Sequence, residues 1–394
     1  MNLEDVKKLV LEYEDYIVQM RREFHRRPEI SGEETGTRDI LIREIERMNV
    51  PYRLLKGTGI IAVIEGKKPG KNRVLRADID GLPVQEDSEN LKQAKVCVSE
   101  VEGVCHACGH DAHMAVLLGT MQVLTRMLDE IEGTVYCCFE EGEETNCGID
   151  TMMEALSDYK IDECFALHVY SGLEAGKVNV VPGPRMAGNI GIGIYLHGKS
   201  GHGSRPDQAV STIIPAAHII TQLNSAFMNQ LNVEETVTLG LGMVRAGEAT
   251  NVIPDEAYIG GTARFFNWDE GEKALRIINR ISENTAECHN CTVTYQHRHN
   301  ISPYPVINDE GVALRVQQKI AEICGEEVLG DCDRWFASEC YSAYLNKYPG
   351  ALGFLGIRNE DYGSGAAHHN GKFDIDESAL TLGVCAEVGF ILGK

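Results

Sequence analysis

Apolar positions recur along the first half of the chain with two different periods. Spacings of three to four residues predict helices over 3–24, 34–48 and 112–131. Short, almost unbroken apolar runs bounded by turn residues predict strands over 59–65, 73–79, 133–140 and 163–169. Unbroken runs are what a strand covered on both faces requires, so this alternation of strands and helices predicts an α/β layer fold with a largely buried sheet.

The pattern breaks at a Gly/Pro stretch from Pro182 to Asn189. Beyond it the order becomes strand 189–197, helix 207–229, strands 236–245 and 256–266, helix 269–287 and strand 291–298. That βαββαβ order is the split-βαβ arrangement of a ferredoxin-like α+β module. A second punctuated stretch, Asn300 to Asn308, ends the module. Helix 309–324, strand 351–357 and helix 375–392 then resume the first style. The expected organisation is an inserted domain over 186–299 within a discontinuous domain of 1–185 and 300–394.

Composition adds limits. With 394 residues, 43% of them hydrophobic, the chain can fill two cores. A net charge of −22 without a basic cluster makes nucleic acid and anionic membrane poor partners. No run reaches the roughly 18 apolar residues of a membrane span, and the opening MNLEDVKKLVLEYEDY lacks a signal-peptide pattern, so a soluble, cytoplasmic protein is expected. The 13 cysteines are odd in number, and several lie in apolar strand-like runs (Cys137, Cys138, Cys164). A disulfide framework is not expected, which leaves thiols available for metal.

The chemistry concentrates at CHACGHDAHMAVLLG, where Cys108, His110, Asp111 and His113 crowd a helix start. A thiolate and an imidazole two residues apart suit a transition metal, with Gly109 allowing a tight turn between them. Asp111 as a simple helix cap with solvated histidines is the bland alternative. Other candidates fall at the carboxyl ends of predicted strands, where open α/β sheets gather ligands: Asp78 and Asp80, Glu143 and Glu144, His168, and the pair His368 and His369. Adjacent carboxylates beside a cation can divide roles, one ligating and one carrying a proton. Taken alone, the run from Glu140 to Glu144 reads as a solvated acidic turn.

Together with FHRRPEISGEE, ADIDGLPVQE, ALHV, SGHGSRP, ATNVIPDEAYIGGTAR and HHNGKFDIDE, these blocks resemble the aminoacylase-like metallo-amidohydrolases and exopeptidases. The similar branch contains hippurate hydrolases, plant indoleacetyl-amino-acid hydrolases and N-acetyl-diaminopimelate deacetylases. The resemblance implies a catalytic domain with a central mixed sheet and helices on both faces, plus an inserted ferredoxin-like lid and dimerisation domain. It also implies two divalent metal ions per subunit, zinc or manganese, with cobalt or nickel as substitutes. Cys108, His110, Glu144, His168 and His369 match the family's ligands, with Glu144 or Cys108 as a bridge. Glu143 matches the general base and Asp80 the acid that steadies the site. In the lid, His202 matches a residue that polarises the scissile carbonyl, while Asn251 and Arg264 match positions that hold a substrate carboxylate. A lid dimer is implied, with His202 serving the partner's active site; pairing the exposed edge of the inserted sheet about a two-fold axis is the simplest closed solution.

Three departures stand near the expected substrate pocket. Glu140, Glu141 and Gly142 replace the family's usual Gln-Pro-Ala, Glu339, Cys340 and Tyr341 replace Glu-Asp-Phe, and Asp207 stands where His is common. Cys105 with Cys108 and Cys288 with Cys291 form two CxxC pairs, but their separation is far from zinc-ribbon spacing, and Cys288 and Cys291 read as structural. His113 reads as a helix-face residue near the site, and His297 and His299 as an exposed pair on one strand face. The expected activity is metal-dependent hydrolysis of the amide bond of N-acyl amino acids. The alternatives are a dipeptidase on the same scaffold and a metal-binding or redox-sensing protein without turnover; Glu143 separates the last, since storage needs ligands but no additional base.

Overall fold

The computed structural model describes residues 3–393. By contacts the chain forms two compact units. The first runs up to Gly183, resumes over Ile307–Asp333 and continues from Ala343; the second comprises Pro184–Val306 and Arg334–Ser342.

The first unit is built on a seven-stranded sheet in the order Tyr52–Leu54, Ile60–Glu65, Thr134–Glu140, Arg73–Asp78, Glu163–Glu174, Gly350–Arg358, Val178–Asn179. Thr134–Glu140, Arg73–Asp78, Glu163–Glu174 and Gly350–Arg358 are mutually parallel, and their immediate neighbours Ile60–Glu65 and Val178–Asn179 are antiparallel to them, so the sheet is mixed. Alternation along each strand divides its side chains between two faces. Leu75, Ala77, Val135, Cys137, Phe139, Phe165 and Leu167 join one core with residues of the helices Glu14–Arg26, His110–Thr125 and Leu380–Leu392. The intervening positions carry a buried polar network. Arg76 donates to Asp78 at 2.8 Å and to Glu140 at 2.7 Å, and the Tyr344 hydroxyl donates to Glu140 at 2.6 Å. Burying Arg76 unpaired would cost several kcal/mol, and these partners offset that cost.

Helices expected over 112–131, 207–229 and 375–392 run over His110–Thr125, Ile213–Gln230 and Leu380–Leu392, and two further elements differ in kind. The opening helix is divided into Leu3–Leu11 and Glu14–Arg26 by a turn in which the Tyr13 N–H bonds to the Val10 carbonyl. The third parallel strand runs on to Glu174, so His168 sits within it rather than at its end. Its level is still that of the sheet's carboxyl edge: Arg76 faces Ala166, which sets Asp78 level with His168.

The second unit holds a four-stranded antiparallel sheet of Gly188–His197, Val237–Ala246, Glu256–Phe265 and Thr292–Tyr295. Their spatial order is second, third, first, fourth, which is the ferredoxin-like arrangement. Its core joins the sheet to helices Ile213–Gln230 and Trp268–Cys288. The segment Arg334–Ser342, read from sequence as part of the outer domain, groups with this unit. The Trp335 N–H donates to the Arg185 carbonyl at 2.8 Å, the Arg334 guanidinium lies 4.2 Å from the Phe266 ring centroid, and Arg264 donates to the Ser338 hydroxyl at 2.8 Å. His299 is half-buried, not exposed: its ring accepts from the Gly193 N–H and pairs with Asn279.

Candidate metal centre

The parallel strands bring their carboxyl ends to one edge of the first sheet, and the polar side chains collect there. Asp78 closes one strand, and Asp80 follows two residues later. Glu143 and Glu144 form a 3₁₀ turn directly after Thr134–Glu140, entered through Gly142 at φ 63°. Cys108 and His110 flank Gly109, whose φ of 92° starts the helix His110–Thr125. His369, at φ 61°, is held by its N–H to the Ala107 carbonyl at 2.9 Å.

These donors form overlapping groups. Cys108, His110 and His168 offer ligand atoms within 4.8 Å of one another, and so do Cys108, Glu144 and His369, and His110, Glu143 and Glu144. Cys108 is common to the first two groups. The Cys108 Sγ lies 3.6 Å from His168 Nε2, and Glu144 Oε1 lies 3.2 Å from His369 Nε2 and 3.9 Å from His110 Nε2.

The outer nitrogens of the rings fix their orientation. His110 Nδ1 donates to the Asp80 carbonyl at 2.9 Å and lies 3.0 Å from its carboxylate, leaving Nε2 turned inward. His168 Nδ1 donates to the Val169 carbonyl at 2.6 Å, so its Nε2 faces Cys108 as a lone pair. Asp80 is fixed in turn by the Ser31 hydroxyl at 2.6 Å and the Glu144 N–H at 3.0 Å. His110 Nε2 and Glu144 Oε1 are buried without a hydrogen-bond partner. Two such orphans are costly unless they ligate something. Thiolate, imidazole and carboxylate together suit a borderline divalent transition metal, so the donor set fits a bound cation.

Electrostatics agree. Burial, followed by the Glu144 carboxylate, pushes the Cys108 thiol well above its usual range. Burial opposes the charge on His110, yet Asp78 and Cys108 hold that ring well above the ordinary histidine value. Burial likewise opposes the charge on Asp78, which His110, His113 and Arg76 hold well below its usual range. A cation displaces the protons on thiol and imidazole, so binding strengthens as pH rises. His168 and His368 are pushed down by burial and by neighbouring histidines, the latter to about 3, and stay neutral.

Residues 74–392 match Peptidase family M20/M25/M40. The chain belongs to this family. It is an enzyme, an M20-type hydrolase. A thermostable carboxypeptidase of Saccharolobus solfataricus is 32% identical over 391 residues, covering 98% of this chain and 96% of the relative. The N-acetyldiaminopimelate deacetylase of Enterococcus faecalis is 32% identical over 382 residues, covering 96% and 97%. A solved Bacillus subtilis protein, described as a dinuclear metal-binding peptidase of the M20 family, superposes with a TM-score of 0.82 at 26% identity, covering 97% and 98%.

Within this M20 chain the fold brings together Cys108, His110, Glu143, Glu144, His168, His369 and Asp80. Two bland readings of the sequence do not survive. Asp111 is no cap: its carboxylate lies 2.8 Å from Arg21 and 2.7 Å from His25. The acidic run is no solvated turn, since Glu140, Glu141 and Glu143 are buried and Glu141 is bound by Thr58. Sequence reasoning undervalued Asp78 and His113. His113 Nδ1 lies 2.5 Å from Asp78 and its Nε2 accepts the Val169 N–H at 2.9 Å, so it ties helix to strands with both nitrogens engaged. It passed over Ser31 and Glu34, which anchor Asp80 and the Gly142 N–H, although both lie in the FHRRPEISGEE block. His202, Asn251 and Arg264 all lie in the second unit. His202 and Asn251 adjoin, because Gly201–His202 pairs with Val252–Ile253 and the Gly203 N–H donates to the Asn251 carbonyl at 2.8 Å. Arg264 is on a different element, eight residues along its strand from Glu256.

Proposed function

We propose that the chain hydrolyses the amide bond of N-acyl amino acids, releasing a carboxylate and a free amino acid. The observation that carries this reading is the buried Glu143 carboxylate standing within 4.8 Å of donor atoms of His110 and Glu144. Cys108, His110, Glu144, His168 and His369 would hold two divalent ions, zinc or manganese, or cobalt or nickel. Such ions, when bound, supply Lewis acidity and make water a better nucleophile near neutral pH. Glu143 takes a proton from the attacking water and returns it to the leaving nitrogen. Asp80 acts as a positioning residue by fixing the His110 ring. His202 polarises the scissile carbonyl, and Asn251 and Arg264 hold the free carboxylate.

The lid residues favour a homodimer in which His202 crosses to the partner's site. At about 3.3 Å per residue, Arg264 lies roughly 26 Å along its strand from Glu256, the end that leads to the His202 ribbon. One small substrate reaches both groups more readily if they come from different copies. The cytoplasm suits the 13 free cysteines. Among the described residues no helix is long and apolar enough to cross a membrane.

The carboxypeptidase relative supports a second reading, cleavage of a C-terminal residue from a peptide or dipeptide, since both substrate classes present a free carboxylate beside the scissile amide. A panel of acetyl-, benzoyl-, long-acyl- and indoleacetyl-amino acids with dipeptides, assayed for released amine with added zinc, manganese, cobalt or nickel, separates them. Turnover confined to the dipeptides would replace the first reading with the second.

A further inference from the structure

Thirteen free cysteines raise the question of which thiols meet each other. Cys137 and Cys138 are sequence neighbours in a strand and point to opposite faces. Cys147 and Cys288 are exposed. Cys324 and Cys385 differ from all of these. Cys324 ends the helix Glu310–Cys324, Cys385 lies in Leu380–Leu392, and the two residues meet at one cleft where these helices pack.

The contact follows from how closely the two helices approach. Gly389 stands one turn beyond Cys385, and a Cβ there would come within 3.3 Å of the Lys319 Cβ. With a hydrogen at that position the helices close up, and the small Cys385 side chain can reach Cys324. Both thiols line a cleft of about 150 Å³ together with Lys7, Leu11, Val328 and Thr381. That volume admits a molecule the size of a small peroxide. The Lys7 ammonium stands 3.5 Å from the Cys324 carbonyl, so the cleft carries a cation on its wall.

We propose that Cys324 and Cys385 form a peroxide-oxidisable dithiol, a modification site separate from the metal centre. In the first step the Cys324 thiolate attacks one oxygen of a hydroperoxide. An S–O bond forms, the O–O bond breaks, and the departing alkoxide or hydroxide takes up a proton, leaving Cys324 as a sulfenic acid. In the second step the Cys385 sulfur attacks that sulfenic sulfur. The S–S bond forms, the S–O bond breaks, and water leaves with the Cys385 proton. Two thiols are oxidised and one hydroperoxide is reduced; a dithiol reductant reverses the bond. The order of attack has electrostatic support, because the neighbouring Cys385 thiol holds the Cys324 thiol below its usual range, whereas Cys385 stays well above it. Burial pushes Cys97, Cys105, Cys137 and Cys138 upward instead. The new bond would close a covalent loop over the stretch that supplies His369, tying the last histidine segment to the helical layer.

The test uses the full-length, metal-loaded enzyme. It is exposed to hydrogen peroxide from equimolar to tenfold excess, quenched with N-ethylmaleimide in denaturant and digested without reduction for mass spectrometry. The expected product links the Cys324 and Cys385 peptides, two hydrogens lighter than their sum. In Cys385→Ser the link is absent, and dimedone traps a sulfenic acid at Cys324 at least tenfold above wild type. If Cys385→Ser does not fold, the wild-type link alone decides. Should Cys324 and Cys385 both remain maleimide-labelled after Cys147 and Cys288 have oxidised, the proposal is overturned.

Discussion

Cys108 and Glu143 belong to the same cluster, yet their chemistry predicts opposite effects when each is truncated. Cys108→Ala removes the sulfur shared by two donor groups, so the purified variant should carry less metal. Glu143→Ala removes a proton carrier and should keep its metal while activity falls by about two to four orders of magnitude. Metal analysis and turnover of both variants check this; an active Glu143→Ala enzyme would sink the proposed chemistry. Glu387 supports a prediction of another kind. It is fully buried on the C-terminal helix beside Thr120, and burial raises its carboxyl to about 8 from the usual 4.5. Between those values the unfolded chain binds fewer protons than the folded one, so this residue's contribution to stability is greatest below about pH 4.5 and falls as pH rises toward 8. Glu387→Gln keeps the shape without the titration. Relative to wild type it should gain on the order of a few kcal/mol at pH 9 and little at pH 5. Thermal melts at both values test it, and parallel pH profiles for the two proteins would refute it.

At the level of elements, one glycine decides whether the turn between Cys108 and His110 can present its donors. Gly109 sits at φ 92° between Cys108 and His110, and a Cβ there would overlap Val169 Cγ2. Gly109→Ala should therefore cost about 1–3 kcal/mol in stability and lower metal content together. Unchanged metal content in a destabilised protein would mean that the turn serves folding alone. The sequence made much of this arrangement readable. Unbroken apolar runs marked the parallel strands, and the resemblance put Cys108, His110, Glu144, His168 and His369 in one site before any contact was known. What stayed hidden was the pairing beneath the site. Glu140 looks like a solvated acid until Arg76, 64 residues away in sequence on the adjacent strand, is seen to bind it together with Tyr344. His113 looks like a helix-face residue until Asp78 and Val169 occupy both of its nitrogens. Local periodicity reports whether a side chain is covered, and a charged residue with distant partners violates that pattern without leaving a local trace. The same limit explains Arg334–Ser342, a stretch with little regular structure, in which Arg334, Trp335 and Ala337 have partners in the second unit.

At the scale of the whole molecule, the open question is whether one copy of the chain completes its own site. The second unit's sheet leaves Val237–Ala246 as an edge strand, with Met243 and Val244 exposed. An uncovered edge of that length invites pairing, and a two-fold axis closes it without leaving a further free edge. If His202 then serves the neighbouring copy, His202→Ala and Glu143→Ala subunits should complement. Each homodimer is nearly inactive on its own. In a mixed dimer where His202 crosses over, one site carries both defects and the other carries neither. Random exchange at equal amounts makes about half of the dimers mixed, each with one intact site, so roughly a quarter of wild-type activity should return if the sites act independently. Exchange is verified by tagging one variant and isolating the hybrid. A hybrid with no recovered activity would show that His202 acts within its own chain or takes no part in turnover.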